Sequence, residues 1–131
     1  MASLGEERAN SLLEVSREPP SVDLRVRDDF DRESVASAIM AARPFAKAIP
    51  CTHSPHGVRV AGAGDPRLLP GYAEGAFAVQ EEGAQRIGLL LGAKRGERVL
   101  DVCAGRGGKT AQLVEATQPG GHVTATDLHE H

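Results

Sequence analysis

The chain has 131 residues, 40% hydrophobic and 25% charged, with a formal net charge of −3. This suits one ordinary domain, or two small pieces sharing a core, and the negative balance excludes nucleic-acid binding by bulk charge while leaving room for a local basic face. The only aromatic residues are Phe30, Phe45, Phe77 and Tyr72, too few for a base-stacking platform, and no apolar run approaches the ~20 residues that a membrane-spanning helix requires.

Residues 1–18 read as a short helical or loosely ordered lead that Pro19 and Pro20 stop. "SVDLRVR" alternates, with Val22, Leu24 and Val26 on one face and Asp23, Arg25 and Arg27 on the other, which predicts a half-buried strand. "DDFDRESVASAIMAAR" predicts a helix capped by Asp31, with Val35, Ile39 and Met40 at helical spacing and Pro44 closing it. "AKAIP" and "HGVRVAG" read as two short strands around a loop rich in His, Ser and Pro. A turn-rich joint follows, so a boundary is expected near Pro70, between a small α+β subdomain (residues 1–70) and residues 71–131.

From Val79, "VQEEGAQRIGLLLGAKRG" predicts an amphipathic helix with Val79, Ile87, Leu90 and Leu91 as its apolar stripe, ending at Gly92 or Gly96. "ERVLDVCA" reads as a central strand of a parallel sheet, buried on both faces. "GGKTAQLVEATQ" is a helix stopped by "PGG", and "HVTATDLHEH" is a second strand ending near Asp127.

The turn in "VLDVCAGRGGKT" carries the chemistry, and three readings compete for it. A phosphate loop, G-x-x-x-x-G-K-[ST], would need a glycine where Cys103 stands. A dinucleotide turn, G-x-G-x-x-G, is met by Gly105 and Gly107 but meets Thr110 at its third position. A nucleoside cofactor without a phosphate fits better. It needs a tight backbone turn after the first strand and an acid after the second for the ribose hydroxyls, and Asp127 stands at that place. Asp101 either orients the turn or faces the cofactor's ammonium. A helix starting near Gly108 would favour a carboxylate at its N-terminus. Each piece alone has a plainer reading, a tight connection or a solvated acid; together they argue for a nucleoside-cofactor site.

Asp101-Val102-Cys103-Ala104-Gly105-Arg106-Gly107-Gly108-Lys109-Thr110 resembles the D-x-C-A-A-P-G-G-K-T turn of the bacterial Sun/Fmu-type ribosomal RNA (cytosine-5)-methyltransferases, which are similar to the eukaryotic NOL/NOP2/Sun group. Upstream, "PGYAEGAFAVQEEGAQ" resembles the family's segment before this turn, and "PPSVDLRVR" its P-P-x-x-x-L-R-x-N strand, so the likeness covers roughly residues 10–131. Gly105 and Arg106 depart from the pattern, replacing Ala and Pro.

The resemblance implies S-adenosylmethionine as cofactor, RNA (ribosomal RNA) as partner, and an α/β, Rossmann-like methyltransferase domain. It assigns Cys103, Ala104, Gly105, Arg106, Gly107, Gly108, Lys109 and Asp127 to the cofactor. Cytosine carbon 5 is not nucleophilic, and the family adds a cysteine thiolate to carbon 6, drawn from later P-C and T-C motifs. The expectation is therefore an N-terminal, truncated portion of such an enzyme, with no catalytic residue of its own and inactive alone. Rival readings are a non-catalytic RNA- or partner-binding module and a dinucleotide-binding protein.

Cys51 and Cys103 are expected to be free thiols of a cytoplasmic protein, neither of them the nucleophile. Cys51-x-His53-x-x-His56 lacks a fourth ligand, so no metal is expected. His122, His129 and His131 read as surface residues. Arg25, Arg27, Arg43 and Lys47 read either as a modest RNA-facing patch or as a solvated face, and Lys109 either as a cofactor-side residue or as a snorkelling lysine.

Overall fold

A computed structural model describes residues 5–17 and 19–128. His129 and His131 lie outside the described residues. Among the described residues the elements run α1 (Glu6–Val15), β1 (Val22–Val26), α2 (Arg32–Ala42), β2 (Lys47–Pro50), β3 (Gly57–Ala61), β4 (Phe77–Val79), α3 (Glu82–Leu91), β5 (Arg98–Asp101), α4 (Gly108–Thr117) and β6 (His122–Ala125), with a 3-10 turn at Pro66–Leu68.

The first four strands form an antiparallel sheet in the order β2-β3-β1-β4. α2 packs on one face of it, and Leu24, Val26, Val35, Ile39, Val58, Val60 and Phe77 make the core. Asp31 caps α2 as its position predicts, accepting from the Ser34 amide at 2.8 Å and the Ser34 hydroxyl at 2.7 Å. Met40, expected at the core face, is instead exposed: the α2 side chains that turn inward are Val35, Ala36 and Ile39. β4 lies beyond the boundary expected near Pro70, yet it hydrogen-bonds to β1 and completes this first sheet.

β1 is not half-buried. Its alternation is real, but the polar face is covered as well, because α3 packs against it. Asp23 is taken up by both Arg59, at 2.7 and 2.9 Å, and the backbone amide of Glu82 at 3.0 Å, so an acid on β1 satisfies an otherwise unpaired donor in the first turn of α3. Arg25 is only 3% exposed.

β5 and β6 run parallel, with Val99 opposite Val123 and Asp101 opposite Ala125, and α4 crosses over between them. Among the described residues β5 pairs with β6 alone, so the expected burial of β5 on both faces is not met: Leu100 and Val102 are both exposed. The apolar stripe of α3 is likewise turned outward. Ile87, Leu90 and Leu91 share a cleft with Leu100 and Val102, while Glu82 and Gln85 face inward. Periodicity identified an amphipathic helix, but the inner face is the one whose polar groups meet Asp23, Gln112 and the Ser54 loop. α3 ends at Gly92, whose φ of 65° is the left-handed conformation that glycine adopts without a Cβ penalty. No helix among the described residues is long and apolar enough to cross a membrane.

Candidate cofactor site

The site is built on the β5-α4-β6 unit. After β5 the backbone must reverse within a few residues to enter α4, and two glycines make this possible: Gly105 at φ 51° and Gly107 at φ 82°, both left-handed. The Gly107 amide donates to the Ala104 carbonyl at 2.9 Å and closes the turn, and the Gly107 carbonyl then accepts the first α4 bond, from Ala111 at 2.8 Å. A Cβ built on Gly105, Gly107 or Gly108 would meet nothing within 4 Å, so the outer side of the turn is accessible to a ligand approaching the backbone.

Asp101 orients this turn from the end of β5. One carboxylate oxygen accepts from the Thr110 hydroxyl at 2.7 Å and the other from the Cys103 amide at 3.3 Å. The Asp101 carbonyl accepts from Thr126 at 2.8 Å, and the Ala104 amide donates to the Thr126 carbonyl at 3.0 Å, tying the turn to the chain leaving β6. Asp127 follows immediately, and its Oδ2 accepts from the Gly105 amide at 2.7 Å. The turn after the first strand and the acid after the second are therefore in direct contact, across 22 residues of sequence.

Around this contact, Cys103, Gly105, Arg106 and Gly108 are exposed, while Ala104, Gly107 and Lys109 are half-buried. Lys109 stands at the start of α4 and lines the apolar cleft beside Leu100, Val102 and Cys103. The donor set suits a nucleoside with a charged amino-acid tail: an acid for hydroxyls, backbone amides at a helix start for a carboxylate, and an apolar wall nearby.

The other candidates fall elsewhere. The loop holding Cys51, His53 and His56 is fastened by Glu82, whose carboxylate accepts from the backbone amides of His53 and Ser54, and the described residues contain no cluster of His, Cys, Asp and Glu able to hold a metal ion. Cys51 is buried, and burial, with Asp23 and Glu82 nearby, pushes its thiol up to about 11. Arg25 cannot face RNA, because it is buried against Glu115 of α4. Arg27 is partly exposed and paired with Asp29, Arg43 is half-buried, and Lys47 is exposed. Sequence reasoning missed the partner of Thr110 and the polar set of buried Arg25, Gln80, Gln85 and Gln112 with half-buried Glu115, for which no local signal was available.

Comparison with known proteins agrees with this geometry. Residues 88–131 match the family described as 16S rRNA methyltransferase RsmB/F. The chain is 33% identical over 120 residues to the ribosomal RNA small subunit methyltransferase B of Proteus mirabilis, covering 92% of this chain and 28% of that protein. It is 41% identical over 111 residues to the protein of the same description from Pseudomonas putida, covering 84% of this chain and 25% of that one. The chain thus spans about a quarter of the length of these relatives. A solved methyltransferase homolog from Pyrococcus horikoshii shares the fold, with a TM-score of 0.69 at 22% identity, over 96% of this chain and 41% of that one. By its sequence the chain is similar to the RsmB/F family of ribosomal RNA methyltransferases, and it shares a partial α/β methyltransferase fold with the solved homolog.

Proposed function

We propose that the β5-α4-β6 unit binds S-adenosylmethionine, with Cys103, Ala104, Gly105, Arg106, Gly107, Gly108 and Lys109 forming the wall that meets its methionine and adenosine parts and Asp127 accepting from its ribose hydroxyls. The observation that carries this reading is the Gly105 amide to Asp127 carboxylate bond, because it brings the two chemically distinct parts of the site to one place. When bound, the cofactor supplies an electrophilic methyl group on a sulfonium. Asp101 holds the turn, Asp127 the ribose, and the first amides of α4 the carboxylate. The chain divides, in this reading, after β4, which belongs by its hydrogen bonds to the first sheet; the small α+β piece before it presents Arg43 and Lys47 towards RNA.

For the whole protein the reading is methylation of ribosomal RNA at cytosine carbon 5, the substrate class of the relatives' descriptions joined to the chemistry implied by the turn. Neither cysteine here suits the attack on carbon 6. Cys51 is buried with its thiol pushed up to about 11, and Cys103, though exposed, lies within the turn assigned here to the cofactor. This polypeptide alone is therefore a cofactor-binding and RNA-facing portion without turnover. Calorimetry with S-adenosylhomocysteine tests the cofactor assignment: binding that is clearly weakened in Asp127→Ala supports it, and no binding by a demonstrably folded chain overturns it. Incubation with labelled cofactor and ribosomal RNA tests the rest, since thiol-dependent methyl transfer by this chain would refute the inactivity.

A further inference from the structure

α4 is held in an unusual way. Of its residues only Gln112, Leu113 and Thr117 are buried, so a single apolar side chain anchors it and directional bonds must fix its position. Those bonds occur at successive levels. Near its start, the Thr110 hydroxyl donates to Asp101 at 2.7 Å. Further along, Gln112 donates to the Gln85 carbonyl at 3.0 Å and accepts from the Gln80 side chain at 3.2 Å. At the third level, Arg25 grips Glu115 with both terminal nitrogens, at 2.6 and 3.0 Å, while its Nε donates to the same Gln80 side chain at 2.8 Å. Gln85 closes the set by donating to the Gln80 carbonyl at 2.7 Å and accepting from Ser54 at 2.6 Å.

We infer that Arg25 is a positioning residue for the cofactor turn: through Glu115 and Gln80 it fixes the axial and rotational setting of α4, and hence of the Gly105–Lys109 backbone at its start. The inference rests on the cofactor reading of that turn. A bidentate guanidinium-carboxylate pair permits little sliding, whereas one leucine would permit it. The Arg25 residue comes from the antiparallel sheet and Glu115 from the cofactor unit, so the pair also ties the RNA-facing piece to the methyl-donor site in one geometry. Glu115 lies about 10 Å along the helix from Gly108, at 1.5 Å per residue, so Arg25 acts without touching the ligand.

The test compares the full chain with Arg25→Met, Glu115→Gln and a control, Ile39→Val, which trims the α2 core away from α4. Amide hydrogen exchange is read at residues 104–110, at a temperature where all four proteins are folded, together with S-adenosylhomocysteine affinity. The expected result is faster exchange at those amides and about tenfold weaker binding in Arg25→Met, with a smaller effect in Glu115→Gln and none in Ile39→Val at equal loss of melting temperature. Wild-type exchange rates at the turn in folded Arg25→Met, or in Glu115→Gln if the former does not fold, overturn the inference. A wild-type chain that fails to bind the ligand would overturn the cofactor reading instead, and the exchange data would still decide the positioning.

Discussion

Asp127 Oδ2 accepts a hydrogen bond from the Gly105 amide at 2.7 Å, so the acid after the second parallel strand is fastened to the turn after the first. Asp127→Ala removes both that anchor and the acceptor assigned to the ribose. A hydrogen bond to a charged group contributes about 1.5–3 kcal/mol, so S-adenosylhomocysteine should bind roughly 10–100-fold more weakly. Isothermal calorimetry measures this directly, and unchanged affinity would remove Asp127 from the site.

Gly107 sits at φ 82° with nothing within 4 Å of a built Cβ, so a side chain there meets strain of the backbone and no steric clash. Gly107→Ala should cost about 1–2 kcal/mol of stability, the usual penalty for an L-residue in the left-handed region. Gly108 has the same open surroundings but no positive φ, and Gly108→Ala should be close to neutral. The contrast, read as urea midpoints of the two variants, isolates the conformational contribution.

The turn was legible in the sequence because its parts are contiguous: strand, glycines, helix start and acid follow one another within a short span, and each has a local signature. The small sheet was legible for the same reason, through alternation and caps. What escaped was set by partners far away along the chain. Asp23, Arg25 and Arg27 read as an outward face, either solvated or RNA-facing, because nothing local reveals that Arg59, Glu82, Gln80 and Glu115 come to meet them, 36 to 90 residues on. On α3 the stripe of Ile87, Leu90 and Leu91 correctly marked an amphipathic helix, yet periodicity does not say which face a neighbour will cover, and there the polar face is the inner one.

The Asp23 carboxyl is held below its ordinary value of 3.8, first by the Arg59 side chain and then by the Glu82 amide, against the opposing effect of burial. Its folded value is depressed, so the stability it contributes is fully present above 3.8 and is lost as pH falls through the lower folded value. Acid denaturation followed by circular dichroism should show this loss beginning just below pH 4 and flattening in Asp23→Asn. Identical acid profiles for the two proteins would contradict it.

The two thiols should differ sharply in reactivity. Cys51 is buried, with its thiol pushed up to about 11, while Cys103 is exposed on the cofactor turn. A thiol reagent at pH 8 should therefore label one cysteine per chain quickly and the second only on unfolding. In Cys103→Ser the fast phase should disappear. Bound S-adenosylhomocysteine should slow it, because the reagent and the ligand approach the same turn.

Gly88 of α3 faces the Gln112 side chain of α4: a Cβ built there would overlap the Gln112 side-chain oxygen and amide carbon. Gln112 cannot simply swing aside, since it is buried and already donates to Gln85 and accepts from Gln80. Alanine is ordinarily the better helix residue by about 1 kcal/mol, so Gly88→Ala in an open helix would stabilise. Here overpacking of about 1–3 kcal/mol, together with the loss of two buried hydrogen bonds, should outweigh that gain and destabilise the chain by a few kcal/mol. Gln112→Ala removes the obstructing atoms, so the double variant should be less destabilised than the sum of the two single ones. Thermal melts of the four proteins measure the coupling, and strict additivity would show that the two residues do not press on one another.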